Sequence, residues 1–261
     1  MSDLEELRGH LKQLRLQTMA HIFEDEALKA AKTELSYVAF LSRLVEEELA
    51  AKVDRSINAR VAKARLPMLR TLEQFDFTFQ PTLSAARVRE LAELGFLDRA
   101  EDILFVGRPG VGKTHWAIAL ALRACQQRKR VLFSAALDLL DQLRAAHVSR
   151  TLARFIDTLG RLDLLVVDEL GYTPMDDQGA NLFFQLVNHL YTRVSVIITT
   201  NVTFDAWDTV FGGNAVIASA ILDRLLHHSH IFLIAGPSYR MKGKLSSPAV
   251  DQPPDATYNQ A

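Results

Sequence analysis

A single cysteine, Cys125, stands in a chain of 261 residues. That excludes an internal disulfide framework and any four-cysteine metal site. No apolar run approaches the length needed to span a bilayer, and the longest, such as Trp116 to Leu122, stop at a charge. No membrane partner is therefore expected. The start, MSDLEELRGHLKQLR, is charged every few residues and is not a secretory signal. Neither sign of charge prevails: 30 Lys+Arg stand against 31 Asp+Glu, a net charge of −1 and a pI near 6.7. A protein basic throughout is excluded, so any attraction to DNA must be local or built by assembly. These deficits describe a soluble chain of a reducing compartment, expected in the cytoplasm. What is present is 49 % apolar and 23 % charged, long enough for one large or two modest domains with a buried core.

The first third reads as helix. Leu4, Leu7, Leu11 and Leu14 recur at spacings of three and four, one apolar stripe expected to face a core. Ser36 can cap a longer helix whose stripe is Val38, Leu41, Leu44, Val45 and Leu49, running up to Leu66 before Pro67. The stretch Gln74 to Leu83 reads as a linker. Ser84 opens a short helix, with Gly95 placed as its C-terminal cap. From Asp102 the pattern changes. Short apolar runs at Ile103–Val106, Val131–Ser134, Leu164–Val167, Val196–Thr200 and Ile231–Ile234 alternate with helix-length amphipathic segments. Such runs suit buried parallel strands joined by crossover helices, a doubly wound α/β sheet. We divide the chain into a helical N-terminal domain (1–75), a sheet domain (76–245) and a polar, disordered tail (246–261).

Gly107-Arg108-Pro109-Gly110-Val111-Gly112-Lys113-Thr114 fits G-x-x-x-x-G-K-[ST] between a strand and a helix that begins at His115. In that setting backbone N–H groups wrap phosphates and the helix N-terminus adds positive potential. Lys113 reaches the β- and γ-phosphates of ATP, and the Thr114 hydroxyl holds Mg²⁺. The run Leu164–Val167 ends in Asp168 and Glu169, about fifty residues beyond the loop. Successive strand side chains point opposite ways, so the two carboxylates divide the work: Asp168 to Mg²⁺, Glu169 to the attacking water. Asn201, closing a third strand, either orients that water and senses the γ-phosphate or simply forms a turn. Arg224 is either a surface cation paired with Asp223 or an arginine donated to a neighbouring subunit's γ-phosphate.

Together these blocks resemble the AAA+ ATPases, and within them the IstB/DnaC-like branch. The markers are Gly112–His115, Asp168–Tyr172, Thr200–Asn201, Phe204–Trp207, Val210–Gly212, Leu222–His228 and Ser238–Arg240. Leu69–Phe77 looks like that branch's connector, so the resemblance spans nearly the whole chain. Inside the branch the chain is more similar to IstB, the ATPase helper of IS21-type transposition, than to DnaC, the helicase loader. The resemblance implies an AAA+ P-loop domain that hydrolyses ATP, assembles as a homo-multimer on duplex DNA and acts with a transposase in target selection. It makes Arg224 the arginine finger, Asn201 the sensor and Arg240 a second nucleotide-sensing arginine. Arg108 and Val111 stand where such loops often carry small or proline residues, both at variable positions of the pattern.

The candidate DNA contact is Arg55, Arg60, Lys63, Arg65 and Arg70, a stretch without an acid between Arg55 and Leu72. It could track phosphates without reading bases, or be no more than a solvated helix face. His227, His228 and His230 lack a Cys or carboxylate at ligand spacing and are not expected to bind metal. Cys125 reads as core filler. Two other functions use the same loop: a helicase-loading ATPase, and a phosphotransferase, which would need an acceptor pocket and an arginine-bearing lid.

Overall fold

The computed structural model describes residues 3–77 and 84–239. Arg240, the stretch 78–83 of the linker and the tail 246–261 lie outside the described residues. The helical part comprises α1 (Asp3–Gln13), α2 (Gln17–Lys32) and α3 (Tyr37–Ala64). It is followed by α4 (Ala85–Ala92), α5 (Gly95–Asp98), β1 (Asp102–Gly107), α6 (Lys113–Gln126), β2 (Val131–Ala135), α7 (Ala136–Val148) and α8 (Leu152–Leu159). Then come β3 (Leu164–Leu170), α9 (Asp177–Leu190), β4 (Ser195–Thr200), α10 (Trp207–Val210), α11 (Ala215–His227) and β5 (Ser229–Ile234). All five expected strands are present. No helix among the described residues is long and apolar enough to cross a membrane.

The strands form one parallel sheet in the order β2-β3-β4-β1-β5. Alternation along each strand feeds two cores. Leu104, Leu165, Val167, Val196 and Ile198 face α7, α8, α9 and α11 on one side. Ile103, Phe105, Leu164, Val166 and Ile197 face α6 on the other. Sandwiching explains why the strands read as unbroken apolar runs. Cys125 is buried in the second core, and burial pushes its thiol up to about 11. At the foot of the sheet, Asp102 accepts the Val196 N–H at 2.8 Å, and burial pushes its carboxyl up to about 8.

The helical part rests on a smaller cluster of Met19, Phe23 and Leu44. Glu48 is buried beneath it and accepts N–H bonds from Thr18 and Met19 at 2.7 and 3.0 Å, and from Arg55 at 2.9 Å. Burial opposes ionisation there, but these donors outweigh it and hold the carboxyl below its usual range. Three expectations are corrected. Leu4, Leu7 and Leu14 are exposed, as are Val38 (76 %), Leu41, Val45 and Leu49; only Leu44 of the α3 stripe is buried. Helix α3 ends at Ala64, where Arg65 takes a left-handed φ of 56°. Leu94 (φ 61°), rather than Gly95, makes the left-handed turn after α4, and Gly95 opens α5.

Candidate functional site

The C-terminal edge of the sheet gathers the sequence motifs. β4 lies between β3 and β1, so the C-terminal ends of all three strands meet at one edge, the usual crevice of open α/β sheets. A cavity of about 400 Å³ opens there. It is lined by Pro109 to His115 of the phosphate loop, by Glu169, and by Thr199 and Asn201 of β4 and its end. The expected loop residues Gly107 and Arg108 do not line it; their carbonyls accept the Lys113 ammonium at 2.7 and 3.0 Å.

The loop's glycines are there for space as well as conformation. Gly112 has φ 103°, and a Cβ would lie 2.6 Å from the Phe75 ring; Gly110 has φ 84°, and its Cβ would lie 2.0 Å from Ser238 Oγ. Two distant segments therefore press on the loop. One follows β5, where the Tyr239 N–H donates to Gly110 O at 2.9 Å. The other is the connector after α3. There Phe75, Phe77, His115 and Trp116 form an aromatic cluster, with Phe75 and Trp116 centroids 4.5 Å apart. His115 Nε2 lies 2.9 Å from the carbonyl of Thr71. A carbonyl only accepts, so this nitrogen carries the proton. Burial lowers the His115 pKa, and the nearby Arg70 charge lowers it further.

Asp168 is buried and Glu169 exposed. A β-bulge between Val167 and Leu170 inserts one residue against β4. Glu169 takes a left-handed φ of 61° there, a conformation that costs roughly 1 kcal/mol or more for a non-glycine residue. Thr199 holds the distortion: its hydroxyl accepts the Glu169 N–H at 2.9 Å and donates a short bond to Asp168. Thr114 Oγ1 donates to the same carboxylate at 2.9 Å. Sequence reasoning missed Thr199; its one signal was a threonine inside an otherwise apolar strand.

The Thr114 hydroxyl and Asp168 carboxylate are hard oxygen donors, the set Mg²⁺ takes alongside substrate phosphates. No cluster of three or more His, Cys, Asp or Glu able to hold a metal occurs among the described residues.

The remaining expected residues are scattered. Arg224 does not line the cavity, nor does it pair with Asp223: it bonds Asn188 and the Ala220 carbonyl. Of the basic stretch, Lys63 and Arg65 are exposed at the end of α3, Arg55 is paired with Glu48, and Arg60 is half-buried with an enclosed Nε. Arg70 turns away from the helix and lines the nucleotide cavity with Met68 and Gln74, which the sequence did not suggest.

Known proteins resemble this chain in sequence and in fold. The chain is 43 % identical over 241 residues to a Pseudomonas aeruginosa protein named for ATP binding in insertion sequence IS21, covering 92 % of this chain and 91 % of that one. It is 39 % identical over 240 residues to the corresponding protein of insertion sequence IS5376 from Geobacillus stearothermophilus, covering 92 % and 95 %. Among solved structures, AMPPCP-bound DnaA from Aquifex aeolicus superposes with a TM-score of 0.55 at 22 % identity, over 69 % of this chain and 56 % of that one. DnaI superposes with a TM-score of 0.53 at 17 % identity, over 64 % and 91 %. These two share the AAA+ P-loop fold. The model of the IstB-like ATP binding protein family matches residues 9–247, and the chain belongs to that family.

Proposed function

We propose that this protein is an ATP-hydrolysing helper of transposition that assembles on duplex DNA and acts with the transposase of its insertion sequence. The observation that carries the ATPase reading is the convergence of three strand ends on one cavity. Thr114 bonds Asp168 there, while Glu169 and Asn201 stand free of that bond at the wall. ATP is held by the Gly107–Thr114 amides with Lys113 on its β- and γ-phosphates. Thr114 and Asp168 would hold Mg²⁺, which would neutralise phosphate charge when bound. Glu169 accepts the proton of the attacking water, and Asn201 orients that water. Arg224, absent from its own chain's cavity, acts on the γ-phosphate of an adjacent copy. Water, rather than a second substrate, is the acceptor: Glu169 and Asn201 line the same wall. Phosphate release without added acceptor tests this against a phosphotransferase.

The insertion-sequence relatives favour the transposition helper over the helicase loader. For DNA, Lys63 and Arg65 keep the reading of the basic stretch. A second basic surface stands at α8 and its two ends: Arg150, Arg154 and Arg161 are exposed and make no ion pair among the described residues. Repeated around a multimer, either patch would multiply phosphate contacts. ATP-dependent binding to duplex DNA, compared with capture of a replicative helicase, separates the two functions.

A further inference from the structure

Helices α9 and α11 lie side by side, and a polar seam runs between them. Phe184, Asn188 and Tyr191 follow one another at helical spacing along α9 and its cap, which sets them on one face. Arg224 and His227 meet that face from α11. Asn188 Oδ1 accepts a hydrogen bond from Arg224 Nε at 3.0 Å. One turn back on α11, the Ala220 carbonyl accepts from Arg224 Nη1 at 2.8 Å. The guanidinium carbon stands 5.0 Å from the centre of the Phe184 ring. The next turn is tied as well, with the Tyr191 hydroxyl 2.7 Å from His227 Nδ1.

A guanidinium offers five N–H groups in a planar fork. Here Nε and one Nη1 hydrogen are engaged; the other three have no acceptor among the described residues. Two bonds fix the plane of the fork, and the aromatic ring carries one face. The rotamer freedom that an arginine would otherwise lose on meeting a phosphate is thus already lost in the folded chain. The character of the acceptor matters too. An Asp or Glu in place of Asn188 would hold the same nitrogen but cancel its charge, whereas a carboxamide orients the cation and leaves that charge available.

We propose that Asn188 is the positioning residue for Arg224, fixing its open Nη edge for the γ-phosphate bound by an adjacent copy of this chain, with Phe184 as the platform. This rests on the reading of Arg224 as an arginine that acts across protomers. Neither Asn188 nor Phe184 lines the chain's own cavity, so their effect on turnover passes through the neighbour's site.

The test uses the full chain assembled with duplex DNA, with steady-state hydrolysis, binding of a fluorescent ATP analogue and thermal melting read on each variant. Asn188→Leu keeps the volume and removes the acceptor. It should lower turnover of the assembly by about 10- to 100-fold, the cost of a group misplaced by about an ångström, and leave ATP affinity within about twofold. Mixed with Lys113→Ala protomers, which cannot use their own site but donate a well-held Arg224, it should regain turnover. Asn188→Asp keeps the bond, so it tests the role even if Asn188→Leu folds poorly; it should also turn over slowly, because the carboxylate neutralises the fork. Wild-type turnover in either variant, or an Asn188→Leu loss that mixing does not relieve, would overturn the proposal. Arg224→Ala is run in parallel. If it turns over at the wild-type rate, the cross-protomer reading itself fails; if it is inactive while Asn188→Leu is normal, only the part given to Asn188 fails.

Discussion

Thr114 Oγ1 and Asp168 Oδ1 lie 2.9 Å apart although 54 positions separate the residues in the chain. One is the second residue of the helix that receives the phosphate loop, the other lies in the bulge of β3. Their contact brings the two halves of the nucleotide site into register. It also makes the carboxylates beside it separable by mutation, since Asp168 is buried and bonded to Thr114 and Thr199 while Glu169 lines the cavity.

Glu169→Gln should therefore retain ATP binding while lowering hydrolysis by about 10²- to 10⁴-fold, the usual contribution of a general base. Lys113→Ala should lose both, because its ammonium spans the loop that receives the phosphates. Fluorescent nucleotide binding and phosphate release, measured on the same preparations, separate the two phenotypes. Normal hydrolysis by Glu169→Gln would remove it as the base.

Thr199→Val preserves shape and deletes the hydroxyl that bridges Asp168 and the Glu169 N–H. Leaving that buried donor and acceptor short of a partner should cost about 1–3 kcal/mol of stability. Turnover should fall as well, because the left-handed Glu169 loses its restraint. Urea unfolding and a kcat measurement check the two effects; unchanged values for both would mean that the bulge holds without Thr199.

Phe75→Ala opens space over Gly112, where the ring presses on the phosphate loop. The loop should loosen and ATP bind more weakly, by a factor of about ten, with roughly 2 kcal/mol lost in stability from the vacated volume. Titration with nucleotide reads the first and thermal melting the second. Undiminished affinity would show that the connector is only a cover.

Lys63→Ala combined with Arg65→Ala should weaken binding to duplexes of unrelated sequence alike and flatten the salt dependence by about two charges per protomer engaged. The pair Arg150→Ala and Arg154→Ala, on the α7–α8 surface, is the comparison. Fluorescence anisotropy across a salt series identifies which patch meets phosphate, and unchanged slopes in both would place the DNA elsewhere.

Asp102 gives the pH prediction. Its carboxyl, pushed up to about 8 by burial, keeps in the folded chain a proton that an unfolded aspartate releases near pH 4. This contribution is therefore full below about pH 4, is lost as pH rises through 8, and falls at up to about 1.4 kcal/mol per pH unit in between. Asp102→Asn, neutral throughout and still able to accept the Val196 N–H, should melt higher than wild type at pH 8 and show a flatter profile. Parallel profiles for the two proteins would contradict the burial argument.

Much of the sheet was legible because each strand is apolar on both faces and ends in a charge, glycine or turn, as at Val167-Asp168 and Val106-Gly107. The phosphate loop was legible because its residues are contiguous. Periodicity told less in the helical part. It identified an apolar face on Leu4–Leu14 and on Val38–Leu49 but not whether anything covers it, and most of both stripes is exposed. Charge patterning gave no sign that Arg70, beyond the end of α3 at Ala64, also lines the nucleotide cavity. Thr199 and Asn188 were hidden for another reason: each bonds a residue thirty or more positions away, through a contact that exists only once strands or helices are paired.

The central claim is tested most directly by equilibrium binding of ATP to the purified full chain with Mg²⁺ and duplex DNA, wild type beside Lys113→Ala. Saturable binding by the wild type, weakened at least about tenfold by the substitution, is the predicted result. No saturable binding, or equal binding by both proteins, would contradict the account.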